Sequence, residues 1–457
     1  MKYDCLIKNG KLVTDRKIEE GAVAVLDGKI AEIILQGELP DAKKVVDAGG
    51  QYVFPGAIDT HAHLNEPGYE WREDYSHGTR GAALGGYTTV FDMPLQNEPA
   101  LTTAHLFDVK KSKVSSNAYV DFCFWGGLVP ENFDDLEELW GKGCIGFKSS
   151  IGPVSPDYRS LSYGQVYEAM EKITCFGGKA GFHCEDFSII KRQEERMKKA
   201  GRVDWKGFLD SRPAAAETVA TAAVIEMAKA VGCRIHICHV SSPDAAELIR
   251  AAQNAGYDVT AETCAHYLSM TEDDVRKYGA LFKCAPPLRS EEDVDRLWEY
   301  VKDGTISGIA SDHSPCSREE KFEEILGTKI ETVFDVWGGI SGIQSCFQTV
   351  FYEGCIKRGL SPKILADAMA LRPARAFGLY GKKGAIKKGF DADLVIVDPE
   401  MSWEITADSL EYVNQISAYV GRKGKGAPVM TMVRGCIVVE NQKITGNPGD
   451  GELIKRL

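Results

Sequence analysis

Two hydrophobic rhythms alternate along the chain. At the N-terminal end, short apolar runs are punctuated by turn residues: Leu6-Ile7 before Asn9-Gly10, Ala22-Val-Ala-Val-Leu26 before Asp27-Gly28, then Lys29-Ile-Ala-Glu-Ile-Ile34. Asn-Gly and Asp-Gly between such runs signal β-hairpins, because these residues tolerate the positive φ of a tight turn. The C-terminal end has the same texture. Ala392-Asp-Leu-Val-Ile-Val397 precedes Asp398-Pro399, and Thr431-Met-Val-Arg-Gly-Cys-Ile-Val-Val439 precedes Glu440-Asn441. The two ends, residues 1–53 and 381–457, are expected to pair into one small β-sandwich.

Between them, over residues 54–380, eight short apolar runs recur: 56–61, 88–92, 120–125, 144–148, 180–183, 234–240, 259–263 and 306–310. Helical patterns such as Ala214-Ala-Ala-Glu-Thr-Val-Ala-Thr-Ala-Ala-Val-Ile-Glu-Met-Ala228 lie between most of them. Strands alternating with helices imply parallel pairing, and eight such units predict an α/β fold, a (β/α)8 barrel of the TIM type.

Composition narrows the setting. The chain has 457 residues, 44% apolar and 26% charged, with 54 Lys+Arg against 66 Asp+Glu and a net charge of −12. That apolar fraction supports a large core rather than disorder. No apolar stretch approaches the roughly 20 residues of a membrane helix, and Met1-Lys2-Tyr3-Asp4-Cys5 lacks a signal-peptide core. An acidic balance without a Lys/Arg-rich tract points away from nucleic acid. The 13 cysteines contain no Cys-x-x-Cys pair, and several lie in apolar runs such as Arg234-Ile-His-Ile-Cys238. They read as reduced, buried thiols of a cytoplasmic protein.

In such a barrel, chemistry sits at the C-terminal ends of the strands. The first run ends Asp59-Thr-His61-Ala-His63, and residues two apart on a strand share a face, so both imidazoles can grip one ion. His183 and His239 lie at the ends of two further runs. His236, three residues before His239, is expected to face the opposite side of its strand as a packing or supporting residue. His77, His105 and His266 are assigned structural roles. The last run ends Ile309-Ala-Ser-Asp312-His313-Ser314-Pro315. Alone, Asp312 would read as a turn cap; beside four histidines it is placed to touch a metal and move a proton. Lys148 ends Cys144-Ile-Gly-Phe-Lys148, where a buried ammonium is costly. A desolvated lysine has a depressed pKa, and its neutral amine can add CO2 to form a carbamate whose oxygens bridge two metals.

The set His61, His63, Lys148, His183, His239 and Asp312 resembles the amidohydrolase superfamily over essentially the whole chain. The resemblance implies an enzyme with a carboxylated Lys148 (N6-carboxylysine) bridging two divalent ions, usually zinc, with cobalt or manganese as other candidates. His61, His63 and Asp312 would hold one ion, His183 and His239 the other. Within the superfamily the sequence is similar to the cyclic-amide hydrolases. His61-Ala-His-Leu-Asn-Glu-Pro-Gly68, Asp92-Met-Pro-Leu95, Phe124-Trp-Gly-Gly-Leu-Val-Pro130 and Glu262-Thr-Cys-Ala-His-Tyr267 look like allantoinases. So do Lys283-Cys-Ala-Pro-Pro-Leu-Arg289, Ser311-Asp-His-Ser-Pro-Cys316 and Val336-Trp-Gly-Gly-Ile-Ser-Gly-Ile-Gln-Ser345.

Departures discriminate among the relatives. Dihydroorotases carry Arg where this chain has Asn65, and Asn where it has Leu95, so both carboxylate-holding groups are missing. Dihydropyrimidinases and D-hydantoinases place Tyr where Pro153 stands. Allantoinases commonly have Arg at the position of Tyr69 and Asn at that of Gln96. The resemblance thus implies ring opening of (S)-allantoin to allantoate, with an L-selective hydantoinase as the alternative. Asp312 would pass a proton from the attacking water to the ring nitrogen. Main-chain groups near Ala285 and Gly338, and the side chains of Asn65, Gln96 and Ser314, would contact the substrate, with Ser149–Pro156 as a lid. A homotetramer is the family's assembly. A non-catalytic, dihydropyrimidinase-related scaffold would have lost its metal ligands, and this chain retains all six positions.

Overall fold

The strand–helix alternation closes into a (β/α)8 barrel, described by a computed structural model covering residues 2–152 and 158–457. Its strands are Ala57–Ala62, Tyr87–Asp92, Asp121–Phe124, Phe147–Ser150, Lys179–His183, Arg234–Ile237, Val259–Cys264 and Gly308–Ala310. They pair in parallel, and all their residues but Arg234 and Thr260 are buried, which is why each reads as a largely apolar run. Between the third and fourth strands, the Ile145 N–H donates to Phe124 O at 2.8 Å and Gly126–Gly127 pairs with Phe147–Lys148. The last strand meets the first where the His63 N–H donates to His313 O at 2.8 Å and the Ser311 N–H donates to Asp59 Oδ1 at 3.0 Å.

Local chemistry explains the intervening helices. Ala214–Val231 starts directly after Pro213 and stops at Gly232, whose φ of 70° ends the helix in the left-handed region. Glu291–Asp303 is capped by the Ser290 hydroxyl, which accepts from the Asp293 N–H. Inside the barrel the Trp125 indole is fully buried. A Cβ on Gly146 or Gly181 would stand 2.6 or 2.8 Å from it, so both positions need glycine. Among the described residues no helix is long and apolar enough to cross a membrane.

The two chain ends build one nine-stranded sheet, joined where Tyr52–Pro55 pairs antiparallel with Leu394–Val397. Asp27-Gly28 is a hairpin turn, with φ of 50° and 73°. Asn9-Gly10 is not. Tyr3–Val13 is one continuous strand, and its register shifts between Ile7 and Gly10. The positive φ of Asn9 (55°) makes a bulge there, tied by its amide to Asp47 at 2.9 Å. The last residues leave the sheet: the Phe122 N–H donates to Glu452 O and the Ile454 N–H to Phe122 O, at 2.9 and 2.8 Å, beside the third barrel strand.

Sheet and barrel are locked by a buried ammonium. Lys383 Nζ lies 2.7 Å from Asp121 in the barrel and 2.6 and 3.2 Å from Asp393 and Asp391 in the sheet. Three carboxylates that could otherwise hold a cation are thereby occupied. Removing one partner of a buried ion pair typically destabilises by about 3–5 kcal/mol. Lys383→Met is therefore expected to lower the unfolding free energy by about that amount in chemical denaturation; a loss below about 1 kcal/mol would show that the cluster does not join the two units.

Candidate metal centre and substrate cavity

The C-terminal ends of the strands open into a cavity of about 340 Å³. His61, His63, Lys148, His183, His239 and Asp312 all line it, together with Gln96, Ala285, Ser314 and Gly338. Asn65 is not among the lining residues; it is fully buried behind the wall, with its amide toward Gln96 O at 3.4 Å. The lid segment falls partly on residues 153–157, Pro153 included, which lie outside the described residues.

Two groups of donors face each other inside. His61 Nε2 and His63 Nε2 lie 3.4 and 3.8 Å from Asp312 Oδ1, and the ligand atoms of all three residues lie within 4.8 Å of one another. His183 Nδ1 stands 3.1 Å from His239 Nε2. Two imidazole nitrogens on one tetrahedral zinc, each at about 2.0–2.1 Å, stand about 3.3 Å apart. The remaining ring nitrogens of two ligands are already held: His61 Nδ1 by Glu262 at 2.6 Å, and His183 Nε2 by Glu185 at 2.9 Å. A carboxylate behind a histidine is how metal sites orient a ligand and fix its tautomer. The residues present therefore fit a pair of divalent ions.

Electrostatics agree with that donor set. Burial, then the Lys148 charge, pushes His61 down to about 4 and holds His239 well below the usual histidine range; burial, then the neighbouring His61, does the same for His63. His183 is also lowered, by burial first. Neutral imidazoles are the form that binds metal. Burial raises Asp312 to about 8, although Lys148 pulls the other way. Backbone strain gathers here too. Of the ten non-glycine residues with positive φ among the described residues, Asn65, Gln96, His239 and Asp312 sit at or just behind the cavity, and the other six occupy turns or bulges. Such conformations each cost about 1–3 kcal/mol and cluster at functional sites.

Some placements differ from expectation. Lys148 is the second residue of its strand rather than its end, because Ser149 and Ser150 continue the pairing with Phe182 and His183. His236 does not face away from the site. It points into the barrel, its Nε2 3.2 Å from Glu262, because the strand ends at Ile237 and His239 turns the chain with φ 38°. Strand alternation stops counting there. His77 lies on a surface helix against Asp74, whereas His266 is fully buried with its ligand atom within 4.8 Å of those of Asp312 and Cys264.

Sequence reasoning assigned no role to Glu262 or Glu185. Glu262 carried the same signal as Lys148, a charge inside an apolar run; Glu185 is buried and paired with Arg212 at 2.6 Å. Two buried lysines were also missed. Lys283 Nζ donates to the carbonyls of Val333, Phe334 and Val336 at 2.8, 2.8 and 2.6 Å. Lys321 Nζ donates to those of Trp337 and Gly339 at 3.0 and 2.7 Å. Together they pin the segment whose Phe334, Val336, Trp337 and Gly338 wall the cavity.

Comparison with known proteins places this geometry. Residues 52–438 match the model of the amidohydrolase family, and the chain belongs to that family. It is 39% identical to an allantoinase from Rubrobacter xylanophilus over 98% of this chain and 96% of that one. It is 38% identical to allantoinases from Escherichia coli over 96% of both chains. Among solved structures it is similar to the L-hydantoinase (dihydropyrimidinase) of Arthrobacter aurescens, with a TM-score of 0.95 and 34% identity over 99% of this chain and 100% of that one. A D-hydantoinase superposes with a TM-score of 0.90 at 30% identity, over 99% and 98%. The chain is thus a cyclic-amide hydrolase by family and fold.

The pinned wall has a measurable consequence. Lys283→Met would leave three carbonyls without their donor, and each unmet buried acceptor costs about 1–3 kcal/mol. The variant is expected to melt lower and to raise KM for amide hydrolysis more than it lowers kcat. An unchanged KM with a lowered melting temperature would mean that the wall does not touch substrate.

Proposed function

We propose that this chain hydrolyses a ring amide of allantoin, opening the hydantoin ring to allantoate, with two divalent ions and a carboxylated Lys148. The observation that carries the reading is the convergence of four neutral imidazoles, one carboxylate and one buried lysine on a single cavity. His61, His63 and Asp312 would hold one ion and His183 and His239 the other. An ammonium among those ligands would repel both ions. Loss of the ammonium proton and addition of CO2 to the amine, with release of a second proton, would turn that cation into an anionic carbamate able to serve as a ligand. When bound, the ions polarise the ring carbonyl and make water nucleophilic near neutral pH. Zinc is the proposed metal, and the proposed assembly is a cytoplasmic homotetramer.

The chain's own residues do the rest. Asp312 takes the proton from the attacking water and delivers it to the departing ring nitrogen, a role typically worth about 10²–10⁴-fold in rate. Main-chain groups at Ala285 and Gly338 and the Ser314 hydroxyl orient the ring. Gln96 Oε1 has no hydrogen-bond partner, so it is free to accept from a ureido N–H of the substrate.

One observation favours a second reading. The outer cavity is lined by Phe187, Ile190, Phe208, Phe334, Val336 and Trp337, which suit an apolar substituent on a hydantoin ring. A panel of allantoin, 5-substituted hydantoins, dihydrouracil and dihydroorotate decides between them: kcat/KM is expected to be highest for allantoin, and higher values for an aromatic hydantoin would reassign the substrate. Lys148→Ala is expected to lose its metal and its activity, both recovered with a short carboxylic acid. Full activity without that acid would refute the carbamate. Fewer than one divalent ion per purified chain, with no gain from added metal and bicarbonate, would refute the reading as a whole.

A further inference from the structure

We propose that the floor of the barrel carries a binding site for a phosphate group, at the end opposite the candidate metal centre and independent of it. A second cavity, of about 300 Å³, lies among the N-terminal ends of the fifth to eighth strands. Its wall holds four cationic side chains, Lys179, Arg234, Arg372 and Arg375, against one carboxylate, Asp258. In a chain with a net charge of −12 that local excess runs against the average. Lys179 opens the fifth strand and His183 closes it, so at about 3.3 Å per residue the floor lies roughly 13 Å from the ligand end. A small anion held at the floor therefore leaves the substrate cavity free.

The balance of charge selects the ligand class. Asp258 is shared: its Oδ2 accepts from Arg234 Nε at 2.8 Å, and its Oδ1 lies 3.5 Å from Lys179 Nζ. Arg372 and Arg375 stand on one helical turn, Arg372–Ala376. Arg372 donates to the carbonyls of Val301 and Ile306 at 2.8 and 3.4 Å, while the exposed Arg375 guanidinium lies 4.7 Å over the Tyr380 ring. Among the described residues neither arginine has a carboxylate within ion-pair distance. The acids that act on Arg372 from further off, Asp303 and Asp367, are paired with Arg250 at 3.5 Å and Lys363 at 2.5 Å.

Lys179 is only 2% exposed and donates to Thr260 Oγ1 at 3.1 Å. Burial lowers it to about 8, against the pull of Asp258 and with a further push from Arg234. A buried cation is costly unless it is fully paired, and a carboxylate divided with Arg234 meets only part of that need. A doubly charged oxyanion matches the surplus better than a single carboxylate does, and guanidinium groups fit phosphate oxygens two at a time. Ser307 Oγ accepts the Ala261 N–H at 3.4 Å and keeps its own hydrogen for such a ligand. A cavity of this volume is at the lower end of small-molecule sites, so the phosphate is either free or the end of a small monoester.

Calorimetric titration of the metal-loaded full chain with inorganic phosphate and with glycerol phosphate tests the site, against sodium chloride at equal ionic strength. One ligand per chain is expected, and the tighter of the two tells the free anion from the monoester. The melting temperature is expected to rise by about 3 °C at a hundredfold excess over Kd. Loss of one hydrogen bond to a charged group typically weakens binding by about tenfold or more. Arg375→Gln is expected to weaken phosphate by that factor, and Lys443→Gln, which removes an exposed cation on the sheet, to leave it unchanged. Arg375 is exposed, so its variant decides the matter even if Lys179→Met fails to fold. Phosphate held at the metals instead would not respond to Arg375→Gln. An affinity within twofold of the parent in that variant, or the same melting shift in chloride alone, overturns the proposal.

Discussion

The seam between Ala57–Ala62 and Gly308–Ala310 is the constraint from which the rest follows. Eight strands in a parallel row could still lie as an open sheet with its two ends far apart. Closure brings the His63 N–H onto His313 O and Asp59 onto the Ser311 N–H and hydroxyl. The donors at the first strand end and the carboxylate after the last, some 250 residues away in sequence, then come within 4.8 Å of one another. A barrel that failed to close would keep its helices and most of its core, yet it would lose the meeting of His61, His63 and Asp312.

Neutrality is the second requirement. The four imidazoles are all largely withdrawn from water. Burial favours the uncharged form of each. The same desolvation that makes the site costly to build therefore prepares its ligands. Glu262 and Glu185 are the exceptions: each is engaged by cation-capable side chains and holds a histidine, Glu262 from behind the wall through Oε1 and Glu185 through Oε2 while it also lines the cavity.

Much of the fold was legible because a parallel strand buried on both faces leaves an uninterrupted apolar run, and eight such runs were visible. The six candidate ligands stand out because polar groups interrupt or end those runs. Other features could not be read locally. Asn9-Gly10 has the sequence of a turn, but pairing on both sides of Tyr3–Val13 and the Asp47 carboxylate make it a bulge. His236 was misplaced because alternation was carried past the point where its strand ends. Lys283 stands in a family-like segment, but its role is not legible there, since its partners are main-chain carbonyls about 50 residues further along, and carbonyls have no residue type.

That last property reaches beyond this one molecule. A wall anchored through side chains must keep those side chains; a wall anchored through its carbonyls is indifferent to them. Phe334, Val336 and Trp337 present their side chains to the cavity while two ammonium groups grip the backbone behind. Exchanging those side chains changes the shape and polarity offered to a ligand and leaves the anchor untouched. Substrate range can drift here by ordinary point substitution without passing through an unfolded or metal-free ancestor. Descendants with different tastes in ring substituents are what such an arrangement makes easy.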